Sequence, residues 1–245
     1  MSGAEHLQRV LRLRVPQRQR SLGIAGLVLV GLLILVAIFA PLIAPYDPSE
    51  RVGRPFGEPS SEHILGTNDV GKDIFSELVF GSRVSIVVGF TTAVSAVAIG
   101  TLVGLLAGFY GGRIDATLMR LTDLVLVIPF LPLMIVMAAF FGPSIPNLIT
   151  IMALITWPWA ARVVRSRALT LHSRGFVESA KALGATNRRL MTRYFFPLLM
   201  PLALSQFVLV VPYAILIEAT LSFLGLGDPT VATWGSMLFL SLIHI

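Results

Sequence analysis

Four stretches of this chain, residues 21–46, 84–112, 124–161 and 194–217, carry no charged side chain. Each is longer than the about 20 residues a helix needs to cross a bilayer. With 55% hydrophobic and only 13% charged residues, the chain is more apolar and less charged than soluble domains, in which roughly a quarter of residues are charged. It is a membrane protein with several spans.

The third run is too long for one crossing. As a single helix, residues 124–161 would extend about 57 Å, nearly twice the hydrocarbon thickness. "FGPSIPN" at 141–147 supplies two prolines and a glycine for a turn. This predicts spans at 21–45, 84–112, 116–141, 147–164 and 194–224, with an incomplete sixth around "WGSMLFLSLIHI" at the carboxyl end.

Short cytoplasmic loops are enriched in Lys and Arg, which gives an independent check. The tail at 1–20 holds Arg9, Arg12, Arg14, Arg18 and Arg20 against Glu5. Residues 46–83 hold seven acids (Asp47, Glu50, Glu58, Glu62, Asp69, Asp73, Glu77) against four bases, as an external loop would. Residues 161–195 hold eight bases against Glu178 alone. Five spans put both basic segments in the cytoplasm, and the first run, too long for a cleaved signal, is an anchor.

Chemistry finds little support. The chain has no cysteine, hence no thiolate site or cysteine nucleophile. His6, His63, His172 and His244 are scattered without metal-ligand spacing, so no metal site is expected. The net charge of +6 comes from bases flanking apolar runs, without the interleaved aromatics of a nucleic-acid surface. "GTNDVGKD" at 66–73 approaches a phosphate-loop pattern, but Asp73 replaces the magnesium-binding hydroxyl and Asp69 and Glu77 repel phosphate. No catalytic residue and no cofactor are expected.

Within the spans, Gly100, Gly104, Gly108 and Gly112 recur every fourth residue, and Ser85, Gly89 and Ala93 form an earlier series of the same spacing that ends seven residues before Gly100. This is a small-residue face for close helix packing. Arg120 and Asp123, three apart, are expected to pair. Glu218 is the charge without an obvious partner in sequence, a candidate either for the pathway or for a structural hydrogen bond. Pro129, Pro132, Pro158, Pro197, Pro201 and Pro212 interrupt the later spans, which fits a gated pathway better than a static anchor.

The basic segment at about 171–195 reads as two helices. Ser173 is expected to cap a first helix of about ten residues that Gly184 ends in the left-handed conformation. Thr186 or Asn187 caps a second. The first helix carries Glu178, Ser179, Ala180, Ala182 and Leu183, a small face suited to a shallow groove on another protein.

"ESAKALGATNRRLMTRYFFPLLMP" at 178–201 resembles the EAA loop of ABC importer membrane subunits, with Glu178, Ala180 and Gly184 on the pattern and Ser179 in place of its first alanine. The likeness continues through "IFAPLIAPYDP" (38–48), "HILGTNDVGKDIFSELVFGSRVS" (63–85), "GFYGGRIDATLMRLTD" (108–123), "EATLSFLGLG" (218–227) and "WGSML" (234–238). Together these resemble the C-type permease subunit of dipeptide, oligopeptide and nickel importers. The resemblance implies an all-α polytopic transmembrane bundle of the type I ABC importer permease kind, with five helices present of an expected six and the chain truncated before the last. It further implies a non-catalytic subunit of a bacterial or archaeal cytoplasmic membrane with a cytoplasmic amino terminus. Its implied partners are a homologous second permease, two cytoplasmic ATP-binding subunits and an external or periplasmic substrate-binding protein. Residues 84–245 would form the permease domain, and Glu178, Ser179, Ala180, Ala182, Leu183 and Gly184 would couple to the ATPase. The competing expectation is a secondary carrier or membrane scaffold needing no ATPase.

Overall fold

The computed structural model describes residues 17–243, and side chains for 21–238. Most of the basic tail at 1–20 and the last two residues lie outside the described residues. The described chain is helical. In order, α1 spans Gln17–Ile38, α2 Ala40–Ile43, α3 Ile74–Tyr110, α4 Gly112–Val127, α5 Phe130–Phe141, α6 Ile145–His172, α7 Gly175–Ala182, α8 Asn187–Leu190, α9 Phe196–Phe223 and α10 Trp234–Ile243. A five-residue π-helical turn, Met191–Phe195, joins α8 to α9. There the Phe196 N–H reaches back five residues to Met191, immediately before Pro197, which has no N–H to give.

Among the described residues, four segments are long and apolar enough to cross a membrane: Ser21–Ile38, Ile74–Tyr110, Ile145–His172 and Asn187–Phe223. A fifth is counted if α4 and α5 form one broken span, bent by 85°. That bend corrects the single helix expected at 116–141. Ile128 precedes a proline, which disfavours its helical conformation; its ψ is 130°, and α5 restarts after Pro129. The turn expected at 141–147 is present, with Ser144 capping α6 by accepting from the Asn147 N–H. Two further boundaries differ from expectation. Helix α3 begins at Ile74, ten residues ahead of the uncharged run, because Asp73 caps it and Glu77 and Arg83 fit on its first turns. Helix α6 continues past Val164 to His172.

The most extensive contact is between α3 and α6, and α9 also packs against α3. The glycine stripe explains the closeness. A Cβ at Gly100 would lie 2.6 Å from the Trp157 carbonyl, and one at Gly108 would lie 2.5 Å from the Ala168 Cβ. Gly104 faces the Ala161 carbonyl with no room for a side chain. Gly89, farther up, faces Val211 and Ile215 of α9 instead. Gly112 lies beyond the end of α3 and touches neither helix.

Larger apolar side chains fill the two ends. One cluster gathers Leu105, Phe109, Val164, Leu171, Val177, Phe195 and Leu199; the other gathers Val88, Met134, Leu148, Met152, Ile155, Ile217 and Leu221. The outer surface is conspicuously apolar. Leu27 is 75% exposed, Val127 81% and Phe140 88%, a belt that needs lipid or a partner, since soluble surfaces rarely carry contiguous patches of this kind.

Charges tie α4 to α6. Arg165 makes a bidentate pair with Asp115, its Nη2 donating to Oδ2 at 2.6 Å. Arg162 pairs with Asp123. The expected Arg120–Asp123 pair is therefore replaced, because the fold brings an arginine from α6 to Asp123.

Candidate functional site

Helix α7 is held from below and open above. Val177 is buried in the cluster formed by the ends of α3, α6 and α9, with Phe176 and Ala180 packed against its edge. Phe195 meets Phe109 edge to face at 4.9 Å within the same cluster, a favourable aromatic geometry. The opposite face is exposed: Glu178, Ser179, Lys181, Ala182, Leu183 and Gly184 all face outward. Leu183 is 89% exposed, the apolar tip of an otherwise small or charged surface. The small face foreseen from sequence is thus divided, with Ala180 turned inward and Ser179 and Ala182 outward.

The local sequence explains the shape. Gly184 has φ +82°, donates its N–H to Lys181 O at 2.9 Å, and is followed by an Ala185 N–H to Ala180 O bond of 2.9 Å. This paired pattern is the Schellman ending, which needs a left-handed residue that glycine supplies at least cost. The start is not as expected. Ser173 closes α6, its N–H donating to Leu169 O, and α7 begins after Arg174 with no side-chain cap. A helix stop and a helix start are two residues apart here, and the serine serves the stop. Thr186 caps α8 as foreseen, accepting from the Arg189 N–H. Arg167, Arg174, Lys181, Arg188, Arg189 and Arg193 are exposed around the same end of the bundle.

At the other end, residues 44–73 form a closed loop. The N–H groups of Val52 and Gly53 donate to Gly71 O, Phe56 to Asn68 O and Thr67 to Gly57 O. In the phosphate-loop lookalike, the Val70 and Lys72 N–H groups donate to Asn68 Oδ1, the Asn68 N–H to Lys72 O and the Gly71 N–H to Asn68 O. A phosphate cradle needs such amides free, and here the loop consumes them itself. Asp73 is buried, caps α3 through Ser76 and bonds His63 Nδ1 at 3.0 Å. Just after α2, Ser49 donates its hydroxyl and its N–H to Asp47, and these hold that carboxylate below its usual pKa.

Glu218 is fully buried on α9. Ser222 Oγ donates to its Oε1 at 2.7 Å, while Oε2 has no hydrogen-bond partner among the described residues. The pathway candidate therefore sits inside the protomer in this conformation. Nor do three His, Asp or Glu side chains gather as metal ligands among the described residues.

Several apolar spans, a rigidly seated surface helix at the basic end and a closed acidic loop at the other define a polytopic membrane subunit. Comparison with known proteins places it more narrowly. The chain belongs to the family of binding-protein-dependent transport system inner membrane components, whose model matches residues 100–243, and it is an ABC importer permease. Residues 18–56 match a second model, the N-terminal TM domain of oligopeptide transport permease C. Among its relatives is a dipeptide transport system permease protein DppC of Alkalihalophilus pseudofirmus, 38% identical over 90% of this chain and 73% of that protein. The oligopeptide transport system permease protein OppC of Bacillus subtilis is 37% identical over 90% of this chain and 73% of its own length. A probable D,D-dipeptide transport system permease protein DdpC of Escherichia coli is 37% identical over 88% of this chain and 73% of its own length.

Proposed function

We propose that the chain is the C-type permease subunit of an importer of short peptides, contributing half of the translocation pathway and taking its driving force from a cytoplasmic ATPase docked on α7. The observation that carries this is the two-sided mounting of α7. Its inner side, Val177 with Ala180, is packed into the ends of three spans, while Glu178, Ser179, Ala182 and Leu183 project outward. A groove that grips the outer side moves the spans, because packed interiors transmit displacement rather than absorb it. The peptide class is supported by the names of the relatives, and a nickel chelate is the alternative cargo. The partners on this reading are a homologous permease, two ATP-binding subunits and an external substrate-binding protein that meets the loop at 44–73. The bases around α7 support a cytoplasmic amino terminus. Glu218 is proposed as a pathway group in a narrower sense, its open acceptor meeting cargo only in a state that parts α9 from its neighbours.

The test is uptake of labelled dipeptide and of nickel into cells expressing the chain with its partner subunits, wild type against Leu183→Asp, Glu178→Lys and Gly184→Pro. The ATPase should stop copurifying and ATP-dependent uptake should collapse in the variants. Uptake and copurification that both survive all three substitutions, or uptake driven by an ion gradient without ATP, would sink the docking claim.

A further inference from the structure

Halfway along α6 and α9 the surface folds into a concavity of about 300 Å³ lined by Thr156, Trp159, Gln206, Leu209, Val210 and Tyr213. Its position is unusual for its chemistry. Trp159 is 59% exposed and Tyr213 42% exposed, and Gln206 is half-buried beside them. All three belong to helices apolar enough to span a membrane. Thr156 satisfies its own hydroxyl by donating to Met152 O at 2.7 Å. The Gln206 amide, the Trp159 indole N–H and the Tyr213 hydroxyl make no hydrogen bond to the described residues. Aromatic belts place Trp and Tyr at the membrane–water interfaces, not at mid-span, and polar groups at that depth cost several kcal/mol unless partnered or facing a water-filled cavity.

We infer that this concavity is the cargo-contacting wall that the chain contributes to the translocation pathway, and that it accommodates the backbone of a peptide. This rests on the peptide reading proposed above. The lining contains no carboxylate, imidazole or cationic group. It offers an amide that both donates and accepts, two further donors and two aromatic faces. Such a set matches the repeating N–H and C=O of a peptide without selecting its side chains or its charge, and it lacks the ligands that a metal ion would need. The modest volume lies at the lower end of ligand sites, about 300–1,000 Å³, so it holds a segment of cargo rather than enclosing it. A pathway needs contact of this weak and general kind, since cargo has to leave as readily as it enters.

The absence of cysteine from the chain makes the test direct. Gln206→Cys and Tyr213→Cys, with Leu27→Cys on α1 as the apolar control, are expressed with the partner subunits, and assembly is verified by copurification of the ATPase. Membranes are treated with a membrane-impermeant charged thiol reagent, with and without saturating dipeptide, binding protein and ATP. Positions 206 and 213 should be labelled at least tenfold faster than position 27, and turnover with dipeptide should slow that labelling at least threefold. Two variants guard against one failing to assemble. Labelling at 206 and 213 no faster than at 27 overturns the inference by showing a dry packed interface. Labelling that dipeptide leaves unchanged, in an importer that takes up dipeptide, also overturns it. Fast labelling with no dipeptide uptake even by the wild-type importer instead rejects the peptide reading itself, leaving a water-filled path for another cargo.

Discussion

Substituting Gly104 by alanine tests the packing on which the rest of the bundle depends. The new Cβ would lie 2.9 Å from the Arg165 amide nitrogen and from the Val164 Cβ, and closer still to the Ala161 carbonyl. Carbon contacts are optimal near 3.5–4.0 Å, so α3 and α6 have to part by roughly 0.6–1 Å, which forfeits about a quarter to a half of the dispersion energy along the seam. The contacting atoms belong mostly to backbone and cannot swing aside. Overpacking of this kind costs about 1–3 kcal/mol. At about 2–4 °C per kcal/mol for a chain of this size, melting should fall by about 2–12 °C. Gly175→Ala is the matched control: a Cβ there meets nothing within 4 Å, and alanine is the better helix former by up to about 1 kcal/mol. Thermal unfolding of the purified complex in detergent, followed by intrinsic fluorescence, should show opposite signs for the same chemical change. Equal melting temperatures for the two variants would refute the close-packed seam.

Three further outcomes follow from other parts of the fold. Gly184→Ala meets no steric neighbour, so its cost is the left-handed backbone alone, about 1–2 kcal/mol; uptake should fall severalfold at unchanged membrane abundance, and Gly184→Asn should recover most of it, because asparagine tolerates that conformation. Asp115→Asn removes one charge from the half-buried bidentate pair with Arg165 and should lower melting by a few degrees, about 1 kcal/mol after discounting for solvent, whereas Asp123→Asn, whose pair with Arg162 is exposed, should leave it unchanged. Asp73→Ala removes the cap of α3 and the partner of His63, a loss of about 1–2 kcal/mol; limited proteolysis of the purified complex should cut residues 44–73 faster, with His63→Ala intermediate.

What the sequence exposes and what it hides divide along a physical line. The turn at 141–147 and the left-handed Gly184 ending follow from local propensity, whereas of the small-residue face Gly100, Gly104 and Gly108 lie against α6, Gly89 faces α9 and Gly112 lies beyond the end of α3. The 85° break at Ile128–Pro129 was signalled by its proline, but prolines also sit inside α6 and α9 without ending them. Whether a proline kinks or breaks a helix is decided by the neighbours that re-satisfy the freed carbonyls. Ion pairing was misassigned for a related reason. Arg120 and Asp123 are close in sequence, yet Arg162, far away in the chain, reaches Asp123 because α6 lies against α4. Gln206 shows the same limit in a functional setting. As a letter it is one neutral amide in an apolar run, unremarked beside the charge of Glu218. Only when α6 sets Trp159 beside it does an unpaired donor at mid-membrane depth become a wall that asks for water or cargo. In a chain whose surface is itself apolar, the informative residue is the polar one that the fold leaves facing outward, and the charge that the fold buries, as at Glu218, is the weaker guide to the path.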